Sequence, residues 1–367
     1  MNENNVFAYL KWRGDLSFSA SEFNRIDALI LNMVSFLDFA GEVDGFPCRT
    51  SQKLCKVIDH FLSVHDEKDL NLGLIIPKDI PSLSREVCRS KRFGKIRICH
   101  FVNVVDTSLS EQFSAVCYLL DSSRLFISFR GTDDTLVGWA EDVNLLSCFP
   151  IPAQADAKKY LERIAELYPE HQIYLGGHSK GGNLSVYAAV YAQSETKKRI
   201  QAIYSFDGPG FDWNKIDANL LGEVKDRIDH IMPNNAIVGR LFHLDVNPTI
   251  VKSDSKGLDQ HNPFSWLIER DDFLTVAHFT HSSDAIKKEI DRMIDGMSEE
   301  DKKDFAEDMN RYLDSLKQNH LIEFLNLKNL ISLIGNKYKM KNKNIRYLLK
   351  LLLIFRRNKA IYIKIQK

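Results

Sequence analysis

One serine, a few histidines and a handful of carboxylates carry the chemistry that this sequence can do. Ser179 sits at the centre of Gly177-His178-Ser179-Lys180-Gly181, a G-x-S-x-G pentapeptide. A serine hydroxyl is a poor nucleophile until it is exposed, oriented and set beside a base. A sharp strand-to-helix turn supplies exposure, and flanking glycines leave room for the tight backbone. The helix start then aims free N–H groups at a developing oxyanion. The bare pattern is equally a glycine-rich turn packing a helix on a strand. Its surroundings favour the nucleophile: Gln172 to Gly176 reads as a short apolar strand, and Leu184, Tyr187, Ala188 and Tyr191 recur at helical spacing. Gly176 and Gly182 extend the glycine-rich turn.

A nucleophilic serine needs a histidine base and usually an acid that orients it, and after a turn of this kind both follow the serine in chain order. The downstream histidines are His230, His243, His261, His278, His281 and His320. His230 lies in a strand-like run and His320 among late helices. His261 lies in the polar, turn-rich stretch Lys256 to Pro263, which follows the apolar Ile250-Val251, and functional residues concentrate on such loops. His261 is the candidate base, with His278 and His281 as alternatives. For the oxyanion, the strand-like Leu125 to Phe129 runs into Arg130-Gly131-Thr132-Asp133-Asp134. The Thr132 backbone N–H, its hydroxyl, and the backbone N–H of Lys180 are the candidate donors. The Lys180 side chain is expected to turn outward from the first helical turn, where a cation opposes the helix dipole, or else to face an anionic substrate.

Those residues need a sheet to hold them. Ser114 to Leu120 and Leu125 to Phe129 form a hairpin-like pair, Gln154 to Tyr168 an amphipathic helix, and Ile200 to Phe206 and Arg227 to Met232 further strands. A turn at Asp207-Gly208-Pro209-Gly210 and a helical stretch near Leu220 lie between the last two. Strands alternating with helices argue for an α/β fold with a mostly parallel sheet covered on both faces. Residues 1 to about 90 read as helical, with Phe23 to Phe39 and Ser51 to Val64 at three-to-four spacing. Past residue 280 the pattern is helical again: Ser283 to Met297, Ser298 to Leu316 with a start at Ser298-Glu299-Glu300-Asp301, and Leu321 to Ile334. The expected division is a helical region over 1–90, a core over 91–297, and a helical C-terminal region with a basic tail over 298–367.

At 367 residues, 44% hydrophobic and 27% charged, the composition is that of a globular protein with ample core. The six cysteines show no C-x-x-C pairing, which favours reduced thiols over a disulfide framework or a zinc site, and no cofactor or metal is expected. The first residues lack the features of a signal peptide, and no apolar run is long enough to cross a bilayer, so a cytoplasmic location is expected. Charge is unevenly spread. From Lys328 onward there are twelve Lys or Arg and no acid, leaving 37 bases against 49 acids elsewhere. With the apolar run Tyr347 to Phe355, this tail suits either docking on the protein's own body or peripheral contact with an anionic membrane. Nucleic-acid binding is not expected, because a single short basic cluster comes without a recognised motif.

The ordered set ISFRGTDDTLVGWAEDVNL, GGHSKGGNLSVYAA, SFDGPGF, MPNNAIVGRLF and QHNPFSW, with the earlier WRGDLSFSASEFNRIDALIL, resembles the Mbeg-like bacterial α/β-hydrolases, relatives of the class 3 lipases. The resemblance spans most of the chain. It implies an α/β-hydrolase fold with Ser179 as nucleophile, His261 as base and Arg130-Gly131-Thr132 as oxyanion loop. Relatives tend to carry an acid two positions after the proline in the stretch matching Met232 to Gly239, where this chain has Asn235. Asparagine can orient a histidine but cannot stabilise an imidazolium by charge. Asn235 is the first expectation for the third member, with Asp207 and Asp229 as substitutes. Two functions follow: a serine hydrolase cleaving a carboxylic ester, of a lipid or acyl type, or a catalytically weak or silent relative that binds a lipid or protein partner.

Overall fold

The computed structural model describes residues 4–48, 50–65, 77–133, 135–315 and 340–357. Its centre is an eight-stranded sheet whose strands lie side by side in chain order. These are β1 (Gln52–Lys53), β2 (Arg97–Asp106), β3 (Glu111–Leu119), β4 (Arg124–Phe129), β5 (Gln172–His178), β6 (Ile200–Phe206), β7 (Ile228–Pro233) and β8 (Thr249–Val251). Pairing is antiparallel from β1 to β4 and parallel from β4 to β8. A small hairpin of β9 (Ile268–Glu269) and β10 (Asp272–Phe273) follows.

Both faces of the sheet are covered, which explains why β4 to β6 read as near-continuous apolar runs. Along β4, Phe126 joins one core, while Leu125, Ile127 and Phe129 join the other. The first core is filled by helices α1 (Val6–Arg13), α2 (Arg25–Val34), α3 (Leu54–Val64) and α4 (Ile80–Arg89). The second is filled mainly by α6 (Pro152–Leu167) and α7 (Lys180–Val190), with α8 (Ser194–Arg199) and the short α9 (Ala218–Gly222) at its margin. Arg92 ties the N-terminal helices together: its buried guanidinium donates to Asp27 and to the carbonyls of Leu16, Ser21 and Glu22. The N-terminal helices are thus built into the sheet's own core.

Several elements were not expected from the sequence, among them the short β1, β9 and β10 strands, helix α8, and two that bear on the site. β2 precedes the hairpin at Phe113, and its alternation is interrupted by a bulge between Cys99 and Val102, with His100 at φ 57°. That extra residue removes the two-residue period by which a strand is read. Helix α5 (Leu136–Asn144), capped by the Thr135 hydroxyl, follows the candidate oxyanion loop.

The C-terminal helices α10 (His281–Asp295), α11 (Glu299–Ser315) and α12 (Asn342–Arg357) close on α5 and on the turn after β7. Ser298 and Asp301 cap α11 reciprocally, at the helix start expected there. In α12 the residues Ile345, Leu348 and Ile354 are buried on the body, while Leu353 is 63% exposed. The described part of the Tyr347 to Phe355 run therefore docks on the protein itself. The expected helix at Leu321 to Ile334, His320 and the last ten residues lie outside the described residues. No helix of the described residues is long and apolar enough to cross a membrane. All six cysteines are unpaired, with Cys99 and Cys117 buried and Cys148 exposed.

Candidate active site

Ser179 occupies the turn between β5 and α7 with φ 58° and ψ −130°. A non-glycine residue at positive φ is strained, on the order of 1–3 kcal/mol, and persists only where its neighbours dictate it. Here the neighbours are close. A Cβ on Gly177 would lie 2.1 Å from the Gly181 carbonyl carbon, and one on Gly181 would lie 2.1 Å from the Phe129 oxygen. Both glycines of the pentapeptide are demanded by backbone packing. The Ser179 N–H donates to the Phe206 carbonyl at 2.9 Å, pinning the turn to β6.

His261 lies in a short 3-10 turn, Gly257–His261, beyond β8. Its Nδ1 is 2.6 Å from Asp207 Oδ2. With Nδ1–H donating to that carboxylate, the neutral ring keeps its lone pair on Nε2. The imidazole packs on His178, with ring centroids 4.4 Å apart and the planes tilted by 36°, and His178 Nε2 donates to the His261 carbonyl at 2.8 Å. The residue before Ser179 thus holds the loop that carries His261. Burial, and secondarily the neighbouring His261, holds the His178 pKa well below the usual imidazole range, so it stays neutral. No hydrogen bond joins Ser179 Oγ to His261 among the described residues. Such bonds often tighten only when substrate is in place.

Asp207, one residue past β6, is 1% exposed and at φ 47°. Its second oxygen accepts the Gly239 N–H at 3.0 Å, and its own N–H donates to Ile231 O at 2.8 Å. The carboxylate is fixed on both sides before it meets His261. The expectation that Asn235 fills this place is corrected. Asn235 Oδ1 accepts the hydroxyl of Thr280, which in turn caps α10 through the Ser283 N–H. The Asn235 N–H donates to Gln260 Oε1 at 2.9 Å. The Asn235 side chain therefore faces the start of α10, and its backbone N–H faces the loop of His261. Asp229 is engaged elsewhere, with Arg25 and Thr249. His278 and His281 are exposed around the start of α10, and His230 is buried in β7 with Nε2 3.0 Å from Gly208 O.

The candidate oxyanion turn lies against the nucleophile: a Cβ on Gly131 would stand 3.3 Å from Ser179 Cβ and 2.4 Å from His178 O. The N–H groups of Thr132 and Lys180 donate to no acceptor among the described residues. The Thr132 hydroxyl, by contrast, donates to Asp142 Oδ2 at 2.7 Å, so it is already committed. Burial pushes the Asp142 carboxyl up to about 6, against the pull of Lys180 and the Thr132 bond.

Lys180 does not turn outward. It is 1% exposed, and its Nζ donates to Glu141 Oε2 at 2.7 Å and to Gln112 O and Oε1, both at 2.9 Å. Every residue of α7 is buried, so its first turn offers no solvent face for a cation. Gln112, Glu141 and Asp142 were not expected from the sequence. A lysine opening a helix of small and apolar residues was the available signal, since a buried ammonium requires an acid. Among the described residues no cluster of three or more His, Cys, Asp or Glu is arranged to hold a metal ion.

Comparison with solved structures finds lipases. Lip2 lipase from Yarrowia lipolytica is 12% identical over 70% of this chain and 86% of its own, with a TM-score of 0.36. M37 lipase is 13% identical over 59% and 70%, with a TM-score of 0.37. A Rhizomucor miehei lipase–propeptide complex is 16% identical over 44% of this chain, with a TM-score of 0.32, and the match spans 58% of that lipase's chain. Likeness at this level says nothing of activity or substrate. Comparison with curated protein sequences gives no match. A sequence profile described as Mbeg1-like matches residues 87–311, from the end of α4 into α11. That span takes in more than half of the chain and every strand from β2 to β10, and so the protein, an α/β-hydrolase in fold, belongs to the Mbeg1-like family.

Proposed function

We propose that this protein is a serine hydrolase that cleaves a carboxylic ester, of a lipid or acyl type, with Ser179, His261 and Asp207 as its triad. The observation that carries the reading is the 2.6 Å contact between His261 Nδ1 and the buried Asp207 carboxylate, on a loop packed against the residue that precedes Ser179. The chain order serine, acid, histidine is that of α/β-hydrolases.

In the reaction, His261 Nε2 takes the Ser179 hydroxyl proton as Oγ attacks the ester carbonyl carbon. The negative charge that develops on the carbonyl oxygen is met by the backbone N–H groups of Thr132 and Lys180. Collapse breaks the ester C–O bond, and the leaving alkoxide takes the proton from His261. Water, deprotonated by the same nitrogen, then releases the acid and restores Ser179. Asp207 fixes the ring and stabilises its cationic form without itself being protonated.

The silent-binder alternative rested on Asn235 standing in the acid's place, and its support weakens once a carboxylate faces His261. A fluorophosphonate probe decides between the two readings. Folded wild-type protein is expected to label covalently, and Ser179→Ala to abolish labelling. Well-folded wild type that does not label would sink the hydrolase reading.

A further inference from the structure

The buried Lys180 side chain has no part in the reaction just described, yet it makes as many bonds as an ammonium can. Its three N–H donors meet three acceptors, Glu141 Oε2, Gln112 O and Gln112 Oε1. Glu141, 0% exposed, accepts two further bonds: Oε2 takes the Gln112 N–H at 3.1 Å, and Oε1 takes the Ala153 N–H at 3.0 Å. This buried network joins the first residue of α7 to α5, to the start of β3 and to the first turn of α6.

Its position is what gives it consequence. Residue 180 supplies one oxyanion N–H from its backbone and the network's cation from its side chain. Glu141 is followed in the chain by Asp142, whose Oδ2 holds the Thr132 hydroxyl at 2.7 Å. Thr132 supplies the other oxyanion N–H. The two donors therefore stand at the ends of a single bonded path: Lys180, Glu141, Asp142, Thr132. Within the turn, Gly131 packs on His178 O and Arg130 is held by Ser114 O and Asn103, but the Thr132 side chain makes only the bond to Asp142, and Asp133 caps Thr135 while facing Arg130 at 3.5 Å.

We infer that Lys180 is a positioning residue that, through its buried ion pair with Glu141, sets the separation of the two oxyanion donors. The inference rests on the hydrolase reading above. Donors stabilise an oxyanion only when both lie within about 2.7–3.1 Å of where it forms. A path that fixes one relative to the other sets the transition-state contact without touching substrate. A purely structural ion pair would behave differently: removing it would lower stability but leave kcat of the folded protein unchanged.

The test uses the full chain, with p-nitrophenyl butyrate hydrolysis, fluorophosphonate labelling and thermal unfolding measured side by side. Lys180→Met alone strands Glu141 and can cost folding, so the decisive variant is Lys180→Met with Glu141→Met. The double variant orphans the Gln112 and Ala153 N–H groups, so its thermal midpoint is expected to fall, but with the chain still folded at the assay temperature it is expected to keep KM and to lose about 10²-fold in kcat relative to wild type, the size of one lost oxyanion donor. Lys180→Arg, which keeps the charge but not the three-point fit, is expected to fall between them in kcat. A well-folded double variant with wild-type kcat overturns the positioning role while leaving the hydrolase reading intact. Wild type that neither labels nor hydrolyses overturns both.

Discussion

The ends of β6 and β7 are neighbouring versions of one local problem: a parallel strand stops, the chain turns, and a polar side chain is delivered near the base. After β6 the turn places Asp207 at positive φ, buried, with one oxygen on Gly239 N–H and the other on His261. After β7 the turn places Asn235, whose carboxamide oxygen accepts the Thr280 hydroxyl and whose backbone N–H donates to Gln260 Oε1. Both turns serve His261, but in different ways. The first touches the imidazole. The second secures the loop that carries it, since Gln260 precedes His261 and its carbonyl also accepts the Trp266 indole N–H at 2.8 Å. An amide suffices for anchoring by neutral hydrogen bonds, whereas orienting and stabilising an imidazolium calls for a carboxylate.

The sharpest way to break that contrast is to exchange the two side chains. Asp207→Asn is expected to reduce kcat by roughly four orders of magnitude, with the histidine left in the wrong tautomer. Adding Asn235→Asp in the same chain is expected to return none of the lost activity, because a carboxylate there still faces Thr280. Measured rescue of ester hydrolysis in the double variant would show that the β7 turn can serve as the acid after all. Asn235→Ala separates the roles from the other side. It removes the acceptor of the Thr280 hydroxyl, and a cost of about 1 kcal/mol in denaturant unfolding is expected. Its kcat should remain far above that of Asp207→Asn, and a comparable loss would mean that the amide does more than anchor.

The same contrast shows what could be read in advance. Ser179 was legible because its chemistry and its backbone demand coincide in five contiguous residues. His261 was legible because it sits in a polar loop just past an apolar strand. The choice between Asp207 and Asn235 was not. Each follows a strand by one or two residues, and only the positive φ at Asp207 and the Gly239 N–H behind it decide which side chain reaches the ring. Strands β4 to β7 were legible as apolar runs buried on both faces, but β2 was hidden by its bulge at His100. The orientation of Lys180 was misjudged because helix-dipole reasoning concerns exposed ends. Here Glu141 of α5 and Gln112 of β3 enclose the side chain, and that is a fact of tertiary packing which no local window contains.

The smallest effect sharpens the contrast through pH. His230 lies in β7, yet its Nε2–H donates to Gly208 O, so a β7 side chain holds the β6 turn beside Asp207. Burial lowers the His230 pKa, opposed by the Gly208 bond and by the charges of Asp207 and Asp229. A base with its pKa lowered by folding adds stability that is present above its unfolded value, near 6.5, and is lost as pH falls through the folded one. His178 is shifted in the same direction. Asp142, raised to about 6, has the opposite sign: its contribution is present below its unfolded value and is lost as pH rises through about 6. Burial pushes the Glu111 carboxyl up to about 7, with the same sign as Asp142, so between pH 7.5 and 5.5 the two carboxyls oppose the loss from the histidines and each variant is read against wild type. His230→Gln keeps a donor for Gly208 O without titrating, so its unfolding free energy should rise relative to wild type as pH falls over that interval. Asp142→Asn should fall relative to wild type over the same interval. Urea unfolding of the three proteins at both pH values checks each sign, and a His230→Gln profile parallel to wild type would remove His230 from the support of the Asp207 turn.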